Sequence, residues 1–522
     1  MTKKEVDAVI VGAGAAGSLY AAELARAGKQ VVVLEEGPAW TLEDLVSSQI
    51  WARRLKWRGA YIAASGENPM GHNFGTGSGF GGAALHHYGT WPRFSPENFE
   101  VRRRFGRGMD WPITYADLQP WYDRIQADMG ISGDAAAEIW RGPGDPYPMP
   151  GVPRFAQGEL LAKGFAALGK PVAPLPVVIN TVPYRGRPAC LWDGWCDSGC
   201  PTGALANPLV TWLRDARKAG ADFRAHCDVK RVLMGTTNRA AGVEYYHRGQ
   251  RMELKANVVI LAASFVNNPR ILLNSSTASF PQGLANSSSL VGRYLMAECA
   301  VQGFGLFEAD TQPYMGINAG QLTYREGYAS DARPKAFGGY QWQIGNAMKP
   351  NDLFGVALSR PQLFGDDLRK FLETASHHIG MMVGFAGGIA ERDNRVELDM
   401  HKDAEGFPLA RTVHTFPDEI KALWRHMSGE SDAVFKAAGA YERWTSTAMV
   451  TGHVVGGTIM GSDPEHSVTD SYGRTHDVEN LVLGGAGLFP CSGGVSPTYT
   501  IHAVARRSVA HMIEHWSDYA ST

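Results

Sequence analysis

Cysteine is scarce in this chain of 522 residues: there are six, at Cys190, Cys196, Cys200, Cys227, Cys299 and Cys491. That density excludes a small secreted scaffold framed by disulfides. No uninterrupted apolar stretch approaches ~18 residues, so no transmembrane helix is expected. Excess charge of one sign is also missing. Lys and Arg number 50 against 52 Asp and Glu, a formal net charge of −2, which gives no bulk-charge reason for a nucleic-acid or membrane-surface partner. Internal repeats and low-complexity tracts are lacking. A secretory signal is not apparent either: the opening MTKKEVDAVIVGAGAAG breaks into glycines after Val11 without a cleavage site and reads as a first strand. Export would need a partner that carries the signal; otherwise the protein would be cytoplasmic.

What the chain has is an ordinary core composition, 44% apolar and 20% charged, which excludes a disordered polymer. At ~150 residues per domain the length allows roughly three to four units. Glycine is in excess, 61 residues, and falls in discrete clusters, as expected of tight turns beside a ligand.

The first cluster explains itself. Residues 6–11 (VDAVIV) are a β-prone run, followed by Gly12-Ala-Gly14-Ala-Ala-Gly17, a helical SLYAAELARAG and a second strand ending at Glu35. Strand, glycine turn, helix and strand within about 30 residues, closed by an acid, is the dinucleotide-binding pattern. Gly12 permits the turn, Gly14 lets a diphosphate approach the backbone, and Gly17 allows the helix to lie close to the strand. The helix N-terminus offers its unpaired N–H groups to the diphosphate, and Glu35 would bind ribose hydroxyls. The position at the start of a long chain favours FAD over NAD.

Three of the six cysteines crowd into Cys190-LWDGW-Cys196-DSG-Cys200-PTGA. Three thiolates on one compact loop could hold an iron–sulfur cluster. Clusters commonly use four cysteines, so with no fourth nearby a three-iron, four-sulfide (3Fe-4S) cluster fits better. Other readings stay open: a zinc site that borrows His226 or Cys227, a Cys196–Cys200 disulfide in an oxidising compartment, or three free thiols.

Further segments carry a family resemblance. Residues 71–94 (GHNFGTGSGFGGAALHHYGTWPRF) form a second glycine-rich stretch, followed by DWPITYADLQPWYDRIQADMGISG. The C-terminal stretch reads HVVGGTIMGSDPEHSVTDSYGRTHDVENLVLGGAGLFPCSGGVSPTYTIHAVARRS. With the N-terminal motif these resemble the glucose–methanol–choline (GMC) oxidoreductase family. They resemble most its branch of bacterial FAD-dependent glucose dehydrogenases and gluconate dehydrogenase large subunits. The likeness spans nearly the whole chain and is weakest over roughly 300–390.

The resemblance implies a site. His453, followed by Gly456, Gly457, Thr458, Met460 and Gly461, takes the position of the histidine at the flavin. An alcohol loses its hydroxyl proton as hydride leaves the carbon, and a histidine within hydrogen-bond reach suits that work. Read without the family, a histidine beside Val454 and Val455 is more often a satisfied core residue. The family's second catalytic position precedes a proline and is commonly Asn or His; here it is Ser496, with shorter reach, so that either Ser496 assists through a water, or His502 or another residue substitutes, or the reaction tolerates the loss. His86 stands where related enzymes can attach the flavin covalently, and Val229 where backbone contacts adenine. The glucose dehydrogenase branch also has cysteines spaced as Cys190, Cys196 and Cys200, which strengthens the cluster reading. A cluster would send electrons to an external acceptor and make the enzyme a dehydrogenase of a sugar, glycoside, polyol or related alcohol. Relatives of the branch pair with a small export subunit and a cytochrome c. Without a cluster, an oxygen-using oxidase of sugars or aryl alcohols leads.

The expected fold is α/β and α+β. A discontinuous Rossmann-like FAD-binding domain takes residues 1–300 and 445–522, including the cysteine loop 190–200. A substrate-binding domain with a mostly antiparallel sheet takes 301–444. There, aromatics such as Tyr340, Trp342 and Phe385 could stack on substrate, although such residues are more often core.

Overall fold

The computed structural model describes residues 5–56, 61–71, 76–235, 238–446 and 448–520. Residues 72–75 of the second glycine-rich stretch and the N-terminal lysines therefore lie outside the described residues.

Val6–Val11 and Val31–Leu34 are apolar runs that pair in parallel, and Asp222–Arg224 extends the sheet beyond them. The helix between the first two, Ala15–Arg26, is rich in alanine and leucine, both strong helix formers. It buries nine of its twelve residues, and each fully covered leucine, Leu19 and Leu24, contributes about 1.5–3 kcal/mol. The helix at Thr498–Glu514 packs against it, with Tyr20 donating to Ser508 Oγ at 2.7 Å.

The long strand Gln250–Leu261 joins two modes of pairing. Its first half runs antiparallel to Ala240–His247, which in turn pairs with Cys227–Met234. Its second half runs parallel to Val6–Val11 on one side and to Leu481–Leu483 on the other. The stretch 257–273 is thus strand followed by helix, Ser264–Asn274. Buried Asn268 ties this corner together: its Nδ2 donates to Leu261 and Gly484 carbonyls, and its Oδ1 accepts from Ala263 N.

A second, seven-stranded sheet is antiparallel throughout, in the order Glu442–Thr445, Met296–Leu306, Ile379–Ala386, Tyr340–Ile344, Leu322–Glu326 and Ala173–Pro174. Val450–Val455 also pairs with Met296–Leu306. The helix Asp418–Ala437 covers one face. Alternation along Tyr340–Ile344 sends Tyr340 and Trp342 to that face, where both donate to Glu430. These two aromatics are core, while Gln343 points to the opposite face, which lines a cavity.

Candidate active site

A cavity of about 700 Å³ runs from the first glycine turn to the open face of the second sheet, within the range of small-molecule and cofactor sites. Its deep end is the turn at residues 12–17. Gly12 holds φ at +96°, and a Cβ there would sit 2.6 Å from Ala262 O; a Cβ on Gly17 would sit 2.0 Å from Gly12 O. Neither position admits a side chain. Gly14 is different: a Cβ would come no closer than 4.0 Å to the protein, and the residue faces the cavity. The second glycine stretch docks here, with Gly81 N donating to Ala13 O at 3.0 Å. Buried Glu35 receives three backbone N–H groups, from Ala13, Gly37 and Gly79, at 2.8–3.0 Å. Burial pushes its pKa up while these donors pull against the rise. Glu36 and Val229 line the same end. Sequence reasoning passed over Glu36, whose pKa burial and neighbouring Glu35 push up to about 8.

A helix N-terminus with no acid in its first turn, a residue facing the cavity without a side chain, and a buried ribose-height carboxylate fit a flavin dinucleotide. His86 lies further along. It is buried, lines the cavity, and its Nε2 makes no hydrogen bond. Burial, with Lys56 and His87 nearby, pushes its pKa down to about 3, so the ring is neutral at physiological pH.

The reactive region gathers residues far apart in sequence. His453 sits where the pairing of Val450–Val455 with Met296–Leu306 slips between Thr451 and Val454. Such a bulge re-aims a side chain. Here His453 Nδ1 lies 2.7 Å from Glu298 Oε2, and its Nε2 lies 3.3 Å from Ser496 Oγ. Gln343 Nε2 donates to Ser496 Oγ at 3.4 Å. Glu298 is fully buried and does not line the cavity; burial raises its pKa while His453 draws it down. Sequence reasoning missed Glu298, although an acid inside the apolar run MAECAV was a signal. His502 stands elsewhere: it packs on Trp91 at 4.6 Å, bonds Thr498 O, and does not line the cavity.

Beyond His453 the sheet presents alternate residues to the cavity, Gln302 and Phe304 from one strand, Val383 and Phe385 from the next. Phe385 stands 4.8 Å from the His453 ring. This face holds amides and apolar groups and no charge. Charged groups line the cavity elsewhere, at the dinucleotide end and at the cysteine loop, where Asp197 pairs with Lys56 at 2.7 Å and Lys349 at 3.3 Å.

Asp197 belongs to the cysteine loop. All six cysteines are free thiols. Cys196 is buried, and Cys190 and Cys200 are half-buried. The three are close enough for Cys190 and Cys200 both to push the Cys196 thiol upward, in addition to burial. Trp192 N donates to Cys190 Sγ and Leu205 N to Cys200 Sγ, each at 3.3 Å. Among the described residues, no group of three or more His, Cys, Asp or Glu is placed to hold a metal ion. Cys227 lies apart from the loop, lining the dinucleotide end of the cavity.

Residues 156–297 and 390–505 match two family models described as GMC oxidoreductase, and residues 10–42 match an NAD(P)-binding Rossmann-like domain. The chain is 31% identical to 2-methyl-1,2-propanediol dehydrogenase of Mycolicibacterium austroafricanum, covering 98% of this chain and 96% of the relative. It is 27% identical to the fructose dehydrogenase large subunit of Gluconobacter japonicus, over 96% of both chains. It is 29% identical to 6'''-hydroxyparomomycin C oxidase of Streptomyces lividus, over 98% and 91%. Among solved structures, pyridoxine 4-oxidase from Mesorbium loti shares the fold, with a TM-score of 0.66 at 16% identity over 98% of this chain and all of that one.

Proposed function

Since the chain belongs to the GMC oxidoreductase family, FAD-dependent enzymes that oxidise CH–OH groups, we propose that it is a dehydrogenase of a sugar, glycoside, polyol or related alcohol, with His453 as the base. The observation that carries this reading is the hydrogen-bonded row Glu298–His453–Ser496, whose last two members open onto the cavity that begins at the glycine turn.

Gly12, Gly14 and Gly17 would shape the seat of the diphosphate, Glu35 would take the ribose, the Val229 backbone would meet the adenine and His86 would pack at the flavin. When bound, FAD supplies the acceptor for the hydride that leaves the carbinol carbon. The chain's own residues handle the proton. Glu298 accepts from Nδ1–H of His453, which fixes the tautomer with a free Nε2. That nitrogen takes the hydroxyl proton of the substrate, and the Glu298 carboxylate offsets the positive charge that develops on the ring. Ser496, held by Gln343, offers a hydroxyl beside the same nitrogen. Phe385 and Val383 present apolar side chains to the cavity beside His453. The uncharged sheet face suits neutral hydroxylated substrates.

In this reading the FAD-binding unit comprises residues 1–300 and 445–522, and the substrate-binding unit 301–444. Met296–Leu306 and Val450–Val455 carry the seam. The branch we favour is that of the glucose and gluconate dehydrogenases, in which Cys190, Cys196 and Cys200 would hold a 3Fe-4S cluster that would supply one-electron transfer outward. Support comes from the cysteine spacing, the two N–H donors to sulfur, and Asp197, adjacent to Cys196, on the cavity wall. A large-subunit relative supports a companion subunit, and a cytochrome c would suit as acceptor. The oxidase-named relative and the lack of a placed metal site among the described residues favour a second reading, an oxidase without a cluster.

One experiment separates them: iron and flavin content of anaerobically purified protein, followed by a screen of sugars and polyols with an artificial acceptor. About three irons per flavin with dye reduction supports the first reading. Flavin without iron, even after reconstitution, and peroxide release on turnover support the second. Turnover by a His453→Ala variant at the native rate would overturn the base assignment in both.

A further inference from the structure

On the far side of the cysteine loop, five arginines surround a small cavity of about 90 Å³. They come from separate elements: Arg26 ends the first helix, Arg185 and Arg187 precede the cysteine loop, Arg214 lies on the helix Trp212–Lys218, and Arg506 lies on Thr498–Glu514. The carboxylates that reach them are three. Glu23 serves Arg26 and Arg506, Asp215 serves Arg26 and Arg214, and Asp128 serves Arg185 and stands 3.6 Å from Arg506. Among the described residues five cations thus meet three carboxylates, two of which, Asp128 and Asp215, line the cavity with them; Arg187 is buried and Arg506 nearly so, while Arg26, Arg185 and Arg214 reach solvent.

Arg187 shows the imbalance most clearly. It is 5% exposed and, among the described residues, has no carboxylate partner; its guanidinium donates to the Ala204 and Met129 carbonyls alone. A buried guanidinium without a carboxylate is costly; burial and Arg214 push its pKa down, the nearby Cys200 thiol pulls it back, and it lies at about 10. Arg506 is only partly met: its Nη1 is buried and makes no hydrogen bond, and it pairs with Glu23 at 3.0 Å and Asp128 at 3.6 Å. Trp212 packs between Arg26 and Arg506, 5.9 and 5.5 Å from their guanidinium carbons, and walls the cavity with an apolar ring.

We propose that this cavity is an anion site for a small inorganic oxyanion of the phosphate or sulfate type, independent of the catalytic cavity. A planar guanidinium fork suits such oxygens, and the volume admits nothing much larger. Because Arg187 holds the Ala204 carbonyl, four residues past Cys200, the bound anion would brace the trailing end of the cysteine loop.

The test is calorimetric titration of the FAD-loaded protein with inorganic phosphate, then sulfate, at about 0.15 M chloride. Saturable binding of one anion per chain at submillimolar concentration is expected. Arg187→Lys keeps a charge but loses the fork, and half-exposed Arg214→Gln leaves the core untouched. Each should weaken binding about tenfold, while Arg369→Gln, on a distant exposed helix, should not. If Arg187→Lys fails to fold, Arg214→Gln decides. Absence of saturable binding, binding only above about 10 mM, too weak for a built site, or native affinity in Arg214→Gln overturns the proposal.

Discussion

Glu298→Gln isolates the electrostatic part of the proposed mechanism. The substitution keeps shape and leaves an amide oxygen able to accept from His453 Nδ1–H, so the tautomer is retained and only the charge is lost. A hydrogen bond to a charged group contributes about 1.5–3 kcal/mol against about 1 for a neutral one. The difference, about 0.5–2 kcal/mol, applies to the state in which the ring carries the proton, so kcat should fall about 2- to 30-fold. KM should hold, since Glu298 does not line the cavity. Glu298→Leu removes the tautomer lock as well and should cost about 100-fold or more. The pH profile is a second readout. Burial raises the Glu298 pKa above its ordinary 4.5, so on acidification this carboxylate takes up a proton earlier than an exposed glutamate would. Below that point the native enzyme loses the charge that the Gln variant already lacks, and the ratio of the two rates should shrink toward one. Steady-state kinetics with an artificial acceptor, on protein matched for flavin content, give both quantities. A Gln variant within twofold of native at neutral pH, or one altered in KM alone, would refute the reasoning.

Other expectations are more local. Gly14→Ala should fold normally, since its Cβ would come no closer than 4.0 Å to the protein, yet lose FAD affinity about tenfold or more by blocking the diphosphate. Gly17→Ala should fail to fold, with its Cβ 2.0 Å from Gly12 O; flavin fluorescence titration and far-UV circular dichroism separate the two. Gln343→Leu, which frees Ser496, should reduce kcat about 3- to 10-fold at unchanged thermal stability, at ~1 kcal/mol for the lost hydrogen bond. Trp342→Phe removes the 2.6 Å bond to buried Glu430 and should cost about 2–4 kcal/mol in denaturant unfolding, while the folded fraction keeps its KM.

The dinucleotide end was legible in the sequence because everything it needs is local: strand, turn, helix and acid lie within residues 6–35. His453 and Ser496 were legible as members of motifs, and the structure brings them to 3.3 Å. Glu298 was not, because its meeting with His453 depends on how two strands about 150 residues apart register, and on a bulge that no local pattern marks. Tyr340 and Trp342 stood as possible substrate platforms alongside Phe385. Only the sheet's alternation, once its covered face is known, sorts Phe385 to the cavity and the other two to the core. The arginine cavity was equally invisible, since its members come from four separate stretches of chain.

The strand Gln250–Leu261 also sets the order of events during synthesis. Its second half needs Val6–Val11 on one side and Leu481–Leu483 on the other, and Gly484, Gly485 and Ala486 complete the wall of the cofactor cavity. A nascent chain therefore carries its glycine turn for more than 400 residues of translation before the seat for FAD can close. Contacts of such sequence separation form slowly, and the exposed edge of Gln250–Leu261 is meanwhile open to wrong pairing. Flavin capture is consequently late, because its seat waits on the pairing of Leu481–Leu483 and on the glycines that follow.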